Sequence, residues 1–278
     1  MNNITIAIAN QKGGTGKTTT AVNIGAGLAR YLGPDQVLLV DTDTQSNSTL
    51  AYLGPEIPFG GRRGNVYTIL DVYEQSVPVE QAIRKISLDG RAGEYPSSRI
   101  HILPAQIELA AIESSLNSGL TGLFILRNAI KELRDKYRVI LVDCPASLGA
   151  FTMSALLACD YLIVPVIPGQ YEFAGLRSLL DTVERVGEFD PIEIIGVLPT
   201  RIKHTNIAKD AIRNLEDFFG ADLILPPVQD RVALEEAHFA GQDIFSYAPN
   251  SPSAKQYGEV LKVLIQRLEL AAQIGDLG

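Results

Sequence analysis

The residues best suited to chemistry form a short glycine-rich stretch near the start of the chain. It reads NQKGGTGKTTT over residues 10–20 and directly follows the apolar run ITIAIA at residues 4–9. Backbone N–H groups of such a loop, together with the positive end of a following helix, bind phosphate oxygens. Against the pattern G-x-x-x-x-G-K-[ST], Gln11 replaces the first glycine and Lys12 adds a second lysine. The stretch therefore predicts a phosphate-binding loop of an unusual type.

This loop gives definite roles to single side chains. We expect Lys17 to bridge the β- and γ-phosphates of a nucleotide and the Thr18 hydroxyl to ligate Mg²⁺. The predicted phosphate contacts are Lys12, Gly13, Gly14, Thr15, Gly16, Lys17, Thr18 and Thr19. Contacts to the base are predicted by position alone at Thr200 and Pro226, which follow later apolar runs.

Carboxylates follow two further apolar runs. VLLVD at residues 37–41 leads into Asp41 and Asp43, which are spaced i and i+2. Two carboxylates beside a phosphate site suit the water shell of Mg²⁺ and the orientation of an attacking water. VILVD at residues 139–143 ends in Asp143, the Walker B arrangement in which a carboxylate holds Mg²⁺ through a water. The predicted metal ligands are thus Thr18, Asp41 and Asp143.

Elements that position these residues are visible as alternating apolar runs and helical patterns. Predicted strands are 4–9, 37–41, 100–103, 139–143, 161–166, 194–198 and 222–225, and predicted helices include 19–32, 123–137, 173–186 and 207–219. Continuous apolar runs of this length fit strands buried on both faces, and the alternation implies βαβ units. We predict an α/β fold with a mainly parallel twisted sheet of about seven or eight strands and helices on both faces. Ligands bind at the carboxyl ends of such strands.

The chain as a whole fits one soluble domain spanning residues 1–278. Its polar interruptions at 54–65, 87–98 and 246–253 are interpreted as loops within that domain. The net charge of −8 argues against nucleic-acid binding over the whole surface and confines any DNA contact to a local patch. No apolar run reaches the length of a membrane span, and ITIAIA is too short for a signal peptide. Two cysteines, Cys144 and Cys159, are interpreted as buried thiols in a reducing cytoplasm.

With these residues in place, the chain resembles the ParA/MinD group of deviant Walker A ATPases, and within it the ParA (Soj-like) partition ATPases. The resemblance covers nearly the whole chain and rests on residues 10–24, 37–49, 101–113, 139–149, 161–186 and 231–257. It implies ATP and Mg²⁺ as cofactors, ATP hydrolysis and an ATP-dependent homodimer. It also implies non-specific DNA binding, a ParB-like adaptor that stimulates hydrolysis, and a cytoplasmic, nucleoid-associated location.

The resemblance also assigns catalytic roles. Lys12 corresponds to the signature lysine that reaches the nucleotide of the partner subunit, and Asp43 corresponds to the carboxylate that positions the hydrolytic water. With Lys17, these are the predicted catalytic residues. The chain departs from the family where Thr44 and Ala146 replace prolines and where Ala233 replaces an arginine implicated in DNA binding. Alternative DNA contacts are predicted at Lys203, Lys209, Arg213 and Arg231, with His204 as a further cation.

Other functions remain open at this stage. One is a MinD-like positioning ATPase that binds membranes through the amphipathic residues 257–278. Its polar face does not carry the excess of lysine and arginine that a membrane-binding helix needs, so we expect this helix to pack on protein instead. A small-molecule ATP-dependent ligase and an iron–sulfur reductase relative fit the C-terminal motifs and the cysteine positions less well. His101 and His238 have no metal-ligand spacing and are expected to be structural or surface residues.

Overall fold

A computed structural model describes residues 3–59, 66–88, 98–116, 120–169, 173–203 and 205–268. The strands are β1 (Ile4–Ile8), β2 (Val37–Asp41), β3 (Arg84–Ser87), β4 (Arg99–Leu103), β5 (Val139–Asp143), β6 (Tyr161–Val166) and β7 (Glu193–Pro199). They form one sheet in the order β3-β4-β2-β5-β1-β6-β7. All neighbouring strands are parallel except β3 and β4, which are antiparallel. The predicted mainly parallel sheet of about seven or eight strands is confirmed, with seven strands among the described residues.

The helices of the described residues are numbered in chain order. They are α1 (Lys17–Leu32), α2 (Asn47–Leu53), α3 (Glu56–Phe59), α4 (Ile69–Tyr73), α5 (Val79–Ala82), α6 (Glu113–Leu116), α7 (Leu120–Leu123), α8 (Ile125–Leu133), α9 (Ala150–Ala158), α10 (Phe173–Gly187), α11 (Asn206–Phe219), α12 (Val232–Phe239), α13 (Ile244–Tyr247) and α14 (Pro252–Arg267). Two 3₁₀ segments lie at Ile107–Ile112 and Ala221–Leu223. The predicted α/β class is thus confirmed.

Apolar side chains fill a separate core on each face of the sheet. One core joins α4, α8, α9 and α10 to the strands, and the other joins α1, α12, α13 and α14 to the opposite face. The second core is tight where α1 meets α14, since a Cβ placed on Gly27 would lie 2.1 Å from Leu261 Cδ1. Because the central strands are buried on both faces, the carboxyl-end residues of β1, β2 and β5 are held in fixed relative positions.

The sheet places two acidic strand ends side by side. β2 and β5 are parallel neighbours, and Asp41 lies opposite Asp143 in their register. β1 lies next to β5 on its other side, so the loop after Ile8 begins beside the same strand ends. The glycine-rich loop, Asp41 and Asp143 therefore meet at the carboxyl ends of the central strands.

Two elements differ from the sequence-based expectations. β3 was not predicted, because its four residues RKIS are short, alternate between half-buried and exposed, and lie at the sheet edge. Residues 222–225 were predicted as a strand, and this was wrong. They begin in a 3₁₀ turn, and only a single bridge joins Ile224 to Val197.

The C-terminal helix buries its apolar face inside the protein. Tyr257, Val260, Leu261 and Leu264 of α14 are all buried, in agreement with the expectation that this helix packs on protein. The predicted segment continues to residue 278, but residues 269–278 lie outside the described part. Within the described ranges, no helix combines the length and apolar character that crossing a membrane requires.

Candidate functional site

The phosphate loop turns sharply at two glycines before α1 begins. Gly14 and Gly16 have φ angles of 72° and 82°, in the left-handed region that L-residues with side chains disfavour. Gly16 is the residue before Lys17, the first residue of α1, and its carbonyl accepts the hydrogen bond of Thr20 N at 2.8 Å. The backbone N–H groups of the loop therefore lie next to the N-terminal, positive end of a 16-residue helix.

Side chains from other strands hold this loop in position. Asn10 is buried, donates from Nδ2 to the Pro165 carbonyl at 2.7 Å and accepts from Lys12 N at 3.0 Å. Thr200, at the end of β7, donates from Oγ1 to the Thr15 carbonyl at 2.8 Å. These hydrogen bonds join the loop to β6 and to the residue that follows β7. Thr200 therefore supports the backbone of the loop.

The two lysines of the loop have different surroundings. Lys17 is only 6% exposed, and its Nζ donates to the Lys12 carbonyl at 3.1 Å. Burial lowers the pKa of Lys17, while the nearby charges of Asp143 and Asp43 oppose that change. The side chain of Lys12, in contrast, is exposed. Only Lys17 is therefore positioned inside the site of its own chain.

Asp41 uses both carboxylate oxygens within the protein. Oδ1 accepts from Asp43 N at 3.1 Å, and Oδ2 accepts from Thr49 N at 2.8 Å and Thr49 Oγ1 at 2.7 Å. Burial, reinforced by the charge of Asp143, raises the pKa of Asp41 to about 8. With three donors already bound to its two oxygens, Asp41 is poorly suited to the metal-ligand role predicted for it.

Asp143 keeps one oxygen available. Oδ2 accepts from Ser48 Oγ at 2.7 Å, whereas Oδ1 is buried without a hydrogen-bond partner among the described residues. Burial raises the pKa of Asp143 to about 6, and the nearby hydroxyls of Ser48 and Thr18 counteract it in part. Because buried oxygens are rarely left unpaired, this one marks a place for a ligand such as Mg²⁺.

Asp43 lies at the boundary between the buried carboxylates and the open site. It is 8% exposed, and its Oδ1 accepts from Gln45 N at 2.9 Å. Unlike Asp41 and Asp143, it lines the adjoining cavity. Of these three carboxylates, Asp43 is thus the one that is accessible from the cavity.

A cavity of about 390 Å³ extends from the loop across the end of β7 to α12. Its lining residues are Gly14, Gly16, Lys17, Thr18, Thr19, Asp43, Gln45, Asn47, Ala146, Thr200, Arg201, Val228, Gln229, Asp230, Arg231, Leu234, Glu235, His238 and Tyr257. The volume lies in the usual range for small-molecule sites. The loop supplies one end, and residues 228–238 supply a mixed polar and apolar wall at the other, which suits a nucleotide with its phosphates on the loop.

Several predicted site residues do not line this cavity. Lys12, Gly13, Thr15 and Pro226 lie outside the lining set, whereas Val228 and several residues after it line the cavity. The base contact at Pro226 stays a prediction. Arg231, predicted as a DNA contact, lines the cavity, and so does His238, which is expected to be a structural or surface residue. His101, in contrast, is a buried structural residue that contacts Asp35 and Tyr137.

The remaining DNA candidates lie on and before α11. Lys203, Lys209 and Arg213 are exposed, and Arg213 contacts Asp210 at 3.3 Å. His204 lies outside the described residues. Sequence reasoning missed Ser48 and Thr49, although both belong to the stretch 37–49 that carried the resemblance. Cys144 and Cys159 are free, buried thiols, as expected.

Comparisons with known proteins agree with this geometry. A family model described as an AAA domain matches residues 3–193. The chromosome-partitioning ATPase Soj of Thermus thermophilus is 35% identical over 269 residues, covering 96% of this chain and 97% of that protein. The sporulation initiation inhibitor protein Soj of Bacillus subtilis is 34% identical over 261 residues, covering 92% and 96%.

Solved structures share the fold over almost the full length. A complex of a Cyanothece McdA variant with ATP aligns with a TM-score of 0.79 at 21% identity, covering 96% of this chain and 97% of that one. Cobyrinic acid a,c-diamide synthase of Mycobacterium smegmatis, with an ATP analogue and magnesium bound, aligns with a TM-score of 0.76 at 27% identity, covering 96% and 95%. The glycine loop, the paired acidic strand ends and the full-length relatives lead to one conclusion: the chain belongs to the ParA/Soj-like family of P-loop ATPases.

Proposed function

We propose that this chain is a Mg²⁺-dependent ATP hydrolase of a partition system, which moves or positions DNA or another large cargo. The observation that carries the proposal is that Lys17 and the start of α1 line one end of a nucleotide-sized cavity, while Asp143, with its unpaired Oδ1, is buried close to Lys17. The Soj relatives, which align over nearly their whole length and one of which is named as a chromosome-partitioning ATPase, support the partition role.

ATP binding follows from the loop and the cavity. The triphosphate lies against the N-terminal turn of α1, where the Lys17 ammonium neutralises part of its charge. On binding, we expect Lys17 Nζ to exchange its contact with the Lys12 carbonyl for phosphate oxygens. The wall formed by residues 228–238 then surrounds the base.

The Thr18 hydroxyl and the Asp143 carboxylate would hold Mg²⁺. When bound, the ion neutralises charge on the β- and γ-phosphate oxygens during phosphoryl transfer. Asp41 is not included in this set, because its oxygens already accept three hydrogen bonds from Asp43 and Thr49. It supports the loop 41–49 from inside the protein instead.

Hydrolysis requires an oriented water and compensation of developing charge. Asp43 lines the cavity, which supports the role proposed for it in orienting the attacking water. The exposed Lys12 serves the phosphates of a second subunit, so that two ATP molecules bind between two copies of the chain. Facing phosphate groups repel each other unless cations lie between them, and this gives Lys12 its role in the homodimer.

The ATP-bound dimer is proposed to bind DNA non-specifically and to release it after hydrolysis stimulated by a ParB-like adaptor. The exposed cations Lys203, Lys209 and Arg213 are the proposed contacts, and the location is the nucleoid in the cytoplasm. The membrane alternative has no comparable support, because the apolar face of α14 is buried in the protein core through Tyr257, Val260, Leu261 and Leu264.

A mobility-shift experiment tests the proposal directly. The purified chain is mixed with duplex DNA of unrelated sequence at two salt concentrations, with ATP, ADP or no nucleotide, and always with Mg²⁺. We expect retardation with ATP only, and a steep loss at the higher salt concentration. Equal retardation under the three nucleotide conditions would contradict the nucleotide-controlled cycle.

A further inference from the structure

Two adjacent hydroxyl residues in the first turn of α2 act on the two buried carboxylates. Ser48 Oγ donates to Asp143 Oδ2 at 2.7 Å, and Thr49 Oγ1 donates to Asp41 Oδ2 at 2.7 Å. Both hydroxyl residues are fully buried. One helical turn therefore contacts two neighbouring strand ends, with one hydroxyl for each carboxylate.

The two contacts have different consequences for their carboxylates. Thr49 completes the partners of Asp41, and its hydroxyl also accepts from Ala105 N at 2.8 Å, which joins Asp41 to the chain after β4. Ser48 engages only one oxygen of Asp143 and leaves Oδ1 without a partner among the described residues. α2 thus occupies Oδ2 of each acid, and the acids differ at Oδ1, which accepts from Asp43 N in Asp41 and has no partner among the described residues in Asp143.

We propose that Ser48 is a positioning residue for Asp143, holding Oδ2 so that Oδ1 is presented to the magnesium shell. The inference rests on the proposed Mg²⁺–ATP site. It adds to that site Ser48, which belongs to neither the phosphate loop nor the Walker B strand.

The physical reason lies in the rotation of the carboxylate. The terminal torsion of an aspartate has a broad energy minimum, so the strand end alone does not fix which oxygen faces the site. A hydroxyl donating to an ionised carboxylate makes a short, charge-assisted hydrogen bond that selects one orientation. Groups that orient metal ligands in this way commonly change metal affinity by about 10–100-fold when they are removed.

The experiment measures magnesium dependence apart from catalysis. Binding of a fluorescent ATP analogue to the full chain is followed while Mg²⁺ is titrated, and again in excess EDTA. For Ser48→Ala we expect the half-saturating Mg²⁺ concentration to rise by about tenfold. Affinity for the nucleotide in EDTA should stay within about twofold of wild type, since Ser48 does not line the cavity. Ser48→Thr, which retains the hydroxyl, should restore the wild-type magnesium dependence.

Ser154→Ala is the matched control. Ser154 is also fully buried, donates to the Leu123 carbonyl at 2.8 Å and accepts from the Tyr73 hydroxyl at 3.2 Å, within α9 and its neighbours. It should keep the wild-type magnesium dependence. An unchanged half-saturating concentration in Ser48→Ala, or an equal shift in Ser154→Ala, overturns the inference.

Failure of the proposed function would look different from failure of this inference, because it would show as absent Mg²⁺-dependent binding in the wild type. If Ser48→Ala does not fold, Ser48→Cys keeps the size of the side chain and weakens the donor. The inference then requires an intermediate shift, and a wild-type curve for Ser48→Cys overturns it.

Discussion

The backbone of Lys12 is tied to the side chain of Lys17, because Lys17 Nζ donates to the Lys12 carbonyl at 3.1 Å. The same residue has its N–H bound to Asn10 Oδ1, so its main chain is fixed at both ends while its side chain is exposed. Lys12 does not line the cavity of its own chain, whereas Lys17 does. Substitution of Lys12 and substitution of Lys17 are therefore expected to have different effects on the protein.

Lys12→Ala and Asp43→Ala separate dimer formation from hydrolysis. With ATP and Mg²⁺, we expect Asp43→Ala to form a stable dimer that retains ATP. Lys12 still neutralises the facing phosphate groups in this variant, and only the orientation of the attacking water is lost. Lys12→Ala should remain monomeric and still bind ATP through Lys17. Mass measurement by light scattering, with bound nucleotide quantified after gel filtration, checks both outcomes.

Equal dimer populations in the wild type and both variants would contradict the proposed trans role of Lys12. Lys136→Ala is a suitable control, because Lys136 is an exposed lysine that contacts Glu80 at 2.7 Å. It should behave as wild type in the mass measurement.

Parts of the site were predictable because their chemistry lies in contiguous residues. Lys17, Thr18 and Asp143 are recognised from a glycine loop and from an apolar strand that ends in an acid. Ser48 and Thr49 follow the second strand within SNST, a run without a motif, and their role depends on α2 folding back over Asp41 and Asp143. The sequence assigns Asp41 and Asp143 the same role as metal ligands. It could not distinguish them, since the two residues differ only in their hydrogen-bond partners in the folded protein.

The fold shows the same division between local and tertiary information. Buried parallel strands such as β5 have continuous apolar runs, so they were predicted correctly. β3 is short and half-exposed, and it pairs only with β4, so no run of this kind exists for it. In the segment 222–225, Ile224 and Leu225 contact β7, but the segment does not join the sheet as a strand, because tertiary packing overrides its local propensity.

A triple substitution tests the proposed DNA surface. Lys203→Ala, Lys209→Ala and Arg213→Ala together should weaken ATP-dependent DNA binding. The slope of log affinity against log salt should fall by about 2 to 3, since each lost phosphate contact removes about 0.9. Fluorescence anisotropy with duplex DNA at four or more salt concentrations measures this slope.

Lys85→Ala, Lys131→Ala and Lys136→Ala form the charge-matched control, because these lysines are also exposed and lie elsewhere in the sequence. Both triple variants lose the same net charge. A similar decrease in slope for both would show that overall charge, rather than the α11 surface, controls binding.

Arg30 and Asp243 form a buried ion pair that should dominate the stability of the α1–α13 contact. Two nitrogens of Arg30 each lie 3.1 Å from an Asp243 oxygen, and the side chains are 13% and 1% exposed. Asp243 also accepts from Phe245 N and Ser246 N at the start of α13. We expect Asp243→Ala to lower the free energy of unfolding by about 3–5 kcal/mol, because it leaves Arg30 buried without its counter-charge.

Urea unfolding of Arg30→Ala, Asp243→Ala and the double variant measures this effect. The double variant should lose less than the sum of the single variants, since the second substitution removes the unpaired partner. Glu259→Ala breaks the exposed pair with Lys262, which spans 2.7 Å, and should cost under about 1 kcal/mol. Additive losses for Arg30 and Asp243 would argue against a coupled buried pair.

His101 should make the protein sensitive to acid. Its Nδ1 lies 2.7 Å from the Tyr137 hydroxyl and its Nε2 lies 2.9 Å from Asp35 Oδ1. These partners assign a neutral ring that donates to Asp35 and accepts from Tyr137. Burial lowers the pKa of His101 below 6.5, although Asp35 opposes this, while the charges of Lys85 and Arg99 contribute to the lowering.

The sign of the effect follows from proton linkage. Below a pH of about 6.5 the unfolded chain takes up a proton at His101, whereas the folded chain resists it, so the free energy of unfolding falls as the pH drops. His101→Gln removes this titration. The stability advantage of the wild type over His101→Gln should therefore be largest near pH 7.5 and should shrink towards pH 5 in urea unfolding. Tyr137→Phe keeps the titrating ring and should remain acid-sensitive. An advantage that stays constant between these pH values would exclude His101 as a source of acid sensitivity.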